Sequence, residues 1–165
     1  WVFWGCYISM IIIGIRAIKK DGSLIASQIV ILTAYLIFWN IDFFYQLITN
    51  NSLWGVTDYF FREMLWVARI ISLEHIFLLP LTIYAIYLVG LKTKDYWKLS
   101  IIQTLVLISL SRLLTKEEFN VNCVYRPCAQ FLYSGNYYLL LWIAILIFTI
   151  LINSYILNKL FNKKN

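Results

Sequence analysis

The stretch RIISLEHIFLLPLTIYAIYLVGLK, residues 69–92, decides the fold. From Ile76 to Val89 it carries no charged side chain. As a helix rising about 1.5 Å per residue, the whole stretch 69–92 is about 36 Å long, enough to cross a hydrocarbon core of about 30 Å. Yet Arg69, Glu74 and His75 stand at its head, and His75 is the only histidine in the chain. Three ionisable groups at the entrance of an apolar helix require an explanation, because charge within hydrocarbon is expensive.

The surrounding composition agrees with lipid as the solvent. Of the 165 residues, 62% are hydrophobic and only 13% charged, and the mean hydropathy is +0.76. Soluble domains hold about 45–50% apolar and about 25% charged residues, and a soluble core of this length cannot enclose the excess. Aromatic residues make up 18%, including seven Trp and twelve Tyr, and Trp and Tyr favour the membrane–water interface. The net charge of +6 comes from Lys and Arg placed in short runs between apolar segments. That is a topology signal rather than a nucleic-acid footprint.

Working outward, the sequence predicts one all-α transmembrane domain over residues 1–165, with five spans near 1–16, 24–48, 69–91, 99–114 and 138–157. The first run is short for a bilayer, which leads us to expect residues ahead of Trp1. No secretory signal peptide is recognisable. Ser23 is the expected cap of the second helix. Residues 56–68, rich in aromatics and holding Asp58, Arg62 and Glu63, read as an interfacial amphipathic helix. Residues 115–137 form the longest polar loop, and Pro80 is expected to kink the third span.

The basic residues set the orientation. Arg16, Lys19 and Lys20 follow the first span; Lys92, Lys94 and Lys98 the third; Lys159, Lys163 and Lys164 the fifth. The other connections offset their Arg62, Arg69, Lys116 and Arg126 with Asp58, Glu63, Glu117 and Glu118. Lys and Arg accumulate on the cytoplasmic side, so the amino terminus is expected outside and the carboxy terminus inside. No internal repeat supports an inverted-repeat transporter.

Cys123 and Cys128, in CVYRPC, then fall in an extracytoplasmic loop, where disulfides persist. A structural disulfide is expected. Redox chemistry fits less well, because the spacing is not C-x-x-C and no second pair exists to relay electrons. Two Cys and a distant His leave a tetrahedral zinc set incomplete, so no metal site is predicted. Cys6, in the first span, reads as a small buried apolar residue.

With the third helix entering from outside, Glu74 and His75 lie roughly 8–9 Å to the outer side of the membrane centre. Asn40 and Asp42 on the second helix fall at similar depth, Arg112 closes the fourth span, and Arg69 sits at the outer mouth. Intramembrane charges normally pair or face a polar interior, so Arg112 is expected to meet Glu74 or Asp42. His75, Glu74 and Asp42 are the candidate catalytic groups, with Asp42 the better-placed partner for the imidazole. Arg69, Arg112 and Asn40 are the candidate ligand-binding groups.

The functional expectation is an integral membrane protein with an outward-facing polar site that binds or acts on a small, lipid-like or anionic ligand. The alternative is a non-catalytic accessory subunit of a larger membrane complex, whose polar groups serve helix packing. Neither the membrane, a cofactor nor a reaction follows from the sequence. No serine elbow, zinc-protease helix, P-loop or dinucleotide fingerprint occurs.

Overall fold

The computed structural model describes residues 4–62, 65–91, 93–130, 132 and 135–161. Glu63, Lys92, Lys163 and Lys164, counted above among the loop charges, lie outside them. The described residues form helices α1 (Gly5–Ile18), α2 (Gly22–Thr49), α3 (Asp58–Phe61), α4 (Trp66–Ser72), α5 (Glu74–Val89), α6 (Tyr96–Leu114) and α7 (Tyr138–Phe161), with no strand. Short 3₁₀ turns at Glu117–Phe119 and Val121–Cys123 follow α6. Four helical rods are long and apolar enough to cross a membrane: α2, the α4–α5 rod Trp66–Val89, α6 and α7. Their length and composition are those of a membrane protein. The remaining apolar helix, α1, has 14 residues and spans only about 21 Å.

Helix α2 is the axle of the bundle, packing against α1, α5, α6 and α7. Its Ile25, Ala26, Ile29, Leu36 and Trp39 are buried on several faces, as suits a helix surrounded by others. It starts two residues earlier than the hydropathy suggests because Asp21, not Ser23, is the cap: Asp21 Oδ1 accepts the Leu24 N–H at 3.3 Å. It ends where Asn50 turns into the left-handed region at φ 56° and returns its N–H to Gln46 O. Helix α6 likewise begins ahead of its apolar run. Tyr96 is buried, and its hydroxyl donates to Ser154 O and Asn158 Oδ1 on α7, each at 3.1 Å.

Burying helix against helix without water demands that polar groups find partners. Gln28 and Gln103 exchange reciprocal amide hydrogen bonds at 2.8 Å. Ser100 Oγ donates to Ser27 O at 3.0 Å, and Asn153 Nδ2 to Val30 O at 3.0 Å. These neutral contacts stitch α6 and α7 to α2. They were not apparent as a set in the sequence, because Gln, Ser and Asn scattered through apolar runs show no register of their own.

The two ends of the bundle differ. At the turn end the start of α2 presses on the exit of α5: a Cβ on Gly22 would lie 1.7 Å from Gly90 O, and Gly90 itself has φ +80°. Only glycine permits that backbone approach. At the opposite, loop end, residues 50–62 meet the loop after α6, with Gln130 N–H donating to Trp54 O at 3.0 Å.

The segment expected as one amphipathic helix over 56–68 is broken. Helix α3 is a single turn, and Arg62 is extended at φ −81°, ψ 178°. Pro80 is accommodated inside α5, while the third rod is interrupted earlier, at Leu73.

Candidate functional site

The loop end holds a half-open cavity of about 900 Å³. Its walls come from the first turn of α1, from Tyr35 of α2, from residues 55–62, from Ser72 and His75, and from the loop after α6.

That loop is a folded lid. Cys123 and Cys128 are joined in a disulfide with Cα atoms 5.6 Å apart. Asn120 and Asn122 occupy the left-handed region, at φ 43° and 54°, which Asn tolerates better than other side chains. Asn120 Oδ1 accepts the N–H groups of Tyr125 and Arg126 at 3.1 Å. Tyr138 donates to Cys123 O at 2.7 Å, and Trp142 Nε1 to Asn122 O at 3.2 Å. Asn122 also reaches α1, where its Oδ1 accepts the Gly5 N–H at 2.9 Å.

His75 is placed by the interruption at Leu73. There the Ile76 N–H turns to Leu73 O at 3.1 Å, the tighter 3₁₀ pattern. Ser72 O, ordinarily its acceptor, instead lies 2.8 Å from His75 Nδ1. A carbonyl can only accept, so Nδ1 carries the proton and Nε2 presents its lone pair. The ring stacks on Trp39, with centroids 4.7 Å apart and planes at 20°, and tilts against Tyr35. The residue is only 4% exposed, and its buried Nε2 has no partner among the described residues. Trp39 is held in turn by donating from Nε1 to Tyr59 Oη at 2.9 Å, and burial raises the Tyr59 phenol above its usual pKa.

Glu74 stands beside Cys6 of α1, and among the described residues its buried Oε1 has no hydrogen-bond partner. One donor atom each from Cys6, Glu74 and His75 lies within 4.8 Å of the other two.

The other expected site residues divide. Asn40 reaches His75: its Nδ2 donates to Leu36 O at 2.7 Å and to His75 O at 2.9 Å. Asp42 is fully buried but serves the 50–57 loop. Its Oδ1 accepts the N–H groups of Leu53 and Trp54 at 3.1 and 2.7 Å, and Oδ2 accepts the N–H and hydroxyl of Thr57 at 2.7 and 2.8 Å. The expected Asp42–His75 partnership is therefore replaced by the Ser72 carbonyl. Arg112 does not pair with Glu74 or Asp42. It donates to Val124 O at 3.3 Å and lies over the Tyr125 ring, 4.3 Å from its centroid. Arg69 donates to Arg62 O at 2.7 Å.

Two groups escaped the sequence reading. Cys6 was the first, although counting from the amino-terminal end of α1 places it level with His75. The second is the set of cations on the cavity wall, Arg62 from the segment before α4 and Lys116 and Arg126 from the loop after α6. Asp58 faces Arg62 at 3.5 Å, and Glu118 faces Lys116 at 3.8 Å.

No protein-family model matches the chain, and neither the curated proteins nor the solved structures searched give a match.

Proposed function

We propose that the chain crosses the membrane five times, with its amino terminus and loop end on the extracytoplasmic side, and that the cavity there binds a small anionic ligand with a lipid-like apolar part. The orientation is supported by the Lys-rich turns at the opposite end and by the disulfide at this one. In this orientation Glu74 and His75 form an intramembrane polar site on the outer side.

One observation carries the ligand reading: a cavity of about 900 Å³ that combines Arg62, Lys116 and Arg126 with an aromatic wall including Tyr7, Tyr35 and Phe119. Ligand pockets are mostly apolar with a few convergent polar groups. Guanidinium groups grip phosphate or carboxylate through paired hydrogen bonds, and aromatic faces take an acyl or ring portion.

Thermal unfolding of the purified chain in mild detergent tests this. Phosphatidylglycerol is expected to raise the midpoint by several degrees, phosphatidylcholine much less. The Arg62→Ala/Lys116→Ala/Arg126→Ala variant should lose the difference. Glycerol phosphate alone separates headgroup recognition from recognition of the whole lipid. An equal response to both lipids, unchanged in the variant, refutes the ligand reading. If the chain is then also polydisperse without partners, the accessory-subunit reading is favoured.

A further inference from the structure

We propose that Cys6, Glu74 and His75 form a binding site for a divalent transition-metal ion of the zinc type, tying α1 to the head of α5 and leaving one coordination position open to the cavity.

Three independent features support it. First, the donor set is right: thiolate, carboxylate and imidazole are the ligands zinc takes. Their donor atoms already lie within 4.8 Å of one another, whereas tetrahedral ligands at ordinary zinc bond lengths are about 3.4–3.6 Å apart. Closure therefore takes about an ångström of side-chain movement.

Second, the imidazole is prepared. His75 is 96% buried, being 4% exposed, and among the described residues its Nε2 has no partner while Nδ1 is held by Ser72 O. A metal-bound His characteristically donates its other ring N–H to a carbonyl or carboxylate, which sets the tautomer and aims the ring. A buried, unpartnered acceptor is otherwise costly. Glu74 Oε1 is unpartnered as well.

Third, the charge balances. Binding releases the Cys6 thiol proton. One thiolate, one carboxylate and a neutral imidazole then cancel a 2+ ion, so the occupied site carries no net charge into an environment that penalises it. Both Cys6 and His75 line the cavity, so the fourth position opens there. Three protein ligands plus an open position is the coordination of zinc that binds water or substrate.

The site adjoins the proposed ligand pocket without depending on it. The test uses the full chain, purified in detergent, stripped with chelator and titrated with Co²⁺ as the spectroscopic stand-in for Zn²⁺. The expected result is one equivalent bound, with a thiolate-to-cobalt charge-transfer band that Zn²⁺ abolishes. Cys6→Ser should remove the band. His75→Ala and Glu74→Gln should weaken zinc retention by more than about tenfold, the loss that follows removal of even a supporting partner of a metal ligand. X-ray absorption of the zinc-loaded wild-type chain should show one sulfur among nitrogen and oxygen ligands, a readout that survives if a variant fails to fold. Wild-type protein that is fully helical yet binds no cobalt, or a band that persists in Cys6→Ser, overturns the site. Anionic-lipid binding measured on the same wild-type sample separates the two proposals: lipid without metal overturns only the metal site, and metal without lipid only the pocket reading.

Discussion

The side-chain carbonyl of Asn122 accepts the backbone N–H of Gly5 at 2.9 Å. One residue thereby fastens the disulfide-closed lid to the first turn of α1, next to Cys6. Its Nδ2 also donates to Ser111 Oγ at 2.8 Å, so the same side chain bridges lid, α1 and α6. Asn122→Ala removes both bonds and leaves a Cβ residue at φ 54°, an expected loss of about 2–3 kcal/mol from two hydrogen bonds and a strained backbone. Asn122→Gly, which relieves the backbone alone, should fall between wild type and Asn122→Ala in chemical unfolding from detergent micelles.

Asp42 anchors the 50–57 loop by accepting hydrogen bonds from Leu53, Trp54 and Thr57. Asp42→Asn keeps the shape but replaces one accepting oxygen with a donor that faces the Thr57 N–H and hydroxyl. We expect a loss of about 3 kcal/mol, since charge-assisted bonds to a buried carboxylate are among the stronger ones. Equilibrium unfolding reads that loss. Zinc or cobalt retention by the folded fraction should stay at the wild-type level, and a selective loss of metal at unchanged stability would assign Asp42 to the site instead.

Gly22 and Gly90 test the backbone crossing at the turn end. Gly22→Ala drives a methyl group to within 1.7 Å of Gly90 O, so the start of α2 and the end of α5 must separate. Overpacking of this kind costs about 1–3 kcal/mol. Gly14→Ala meets nothing within 4 Å and should instead stabilise α1 by about 0.5–1 kcal/mol. Opposite shifts in thermal midpoint are the expected result.

The Gln28–Gln103 pair separates a bond's worth from the cost of orphaning its partner. Gln28→Leu leaves the Gln103 amide facing an apolar neighbour, a penalty of about 1–3 kcal/mol. Adding Gln103→Leu removes the orphan and should recover most of that loss. A double-mutant cycle measured by denaturant unfolding checks it, with strong non-additivity expected for residues in direct contact.

Much of the architecture was legible in the chain because hydrocarbon is a demanding solvent. A backbone in lipid must bond to itself, so the apolar runs near 24–48, 69–91, 99–114 and 138–157 had to be helices. Their observed ends move by a few residues, where Asp21 supplies a cap or Tyr96 finds a partner on α7. The CVYRPC segment declared its disulfide by the close spacing of its two Cys together with the side of the membrane expected for the loop. The break at Leu73 was not legible, because no Gly or Pro marks it and its consequence is a single redirected carbonyl.

The site depended on what each helix turned toward. Asn40 and Asp42 are two residues apart and therefore about 200° apart around a helix. One reaches the backbone of His75 and the other turns away to the 50–57 loop. Sequence alone determined which helices are long and apolar enough to cross a membrane, because length and hydropathy are read directly from each run. Tertiary structure decided that Cys6, Glu74 and His75 are the ones that meet, because rotation about a helix axis is settled by packing against α2 and leaves no signature in the order of residues.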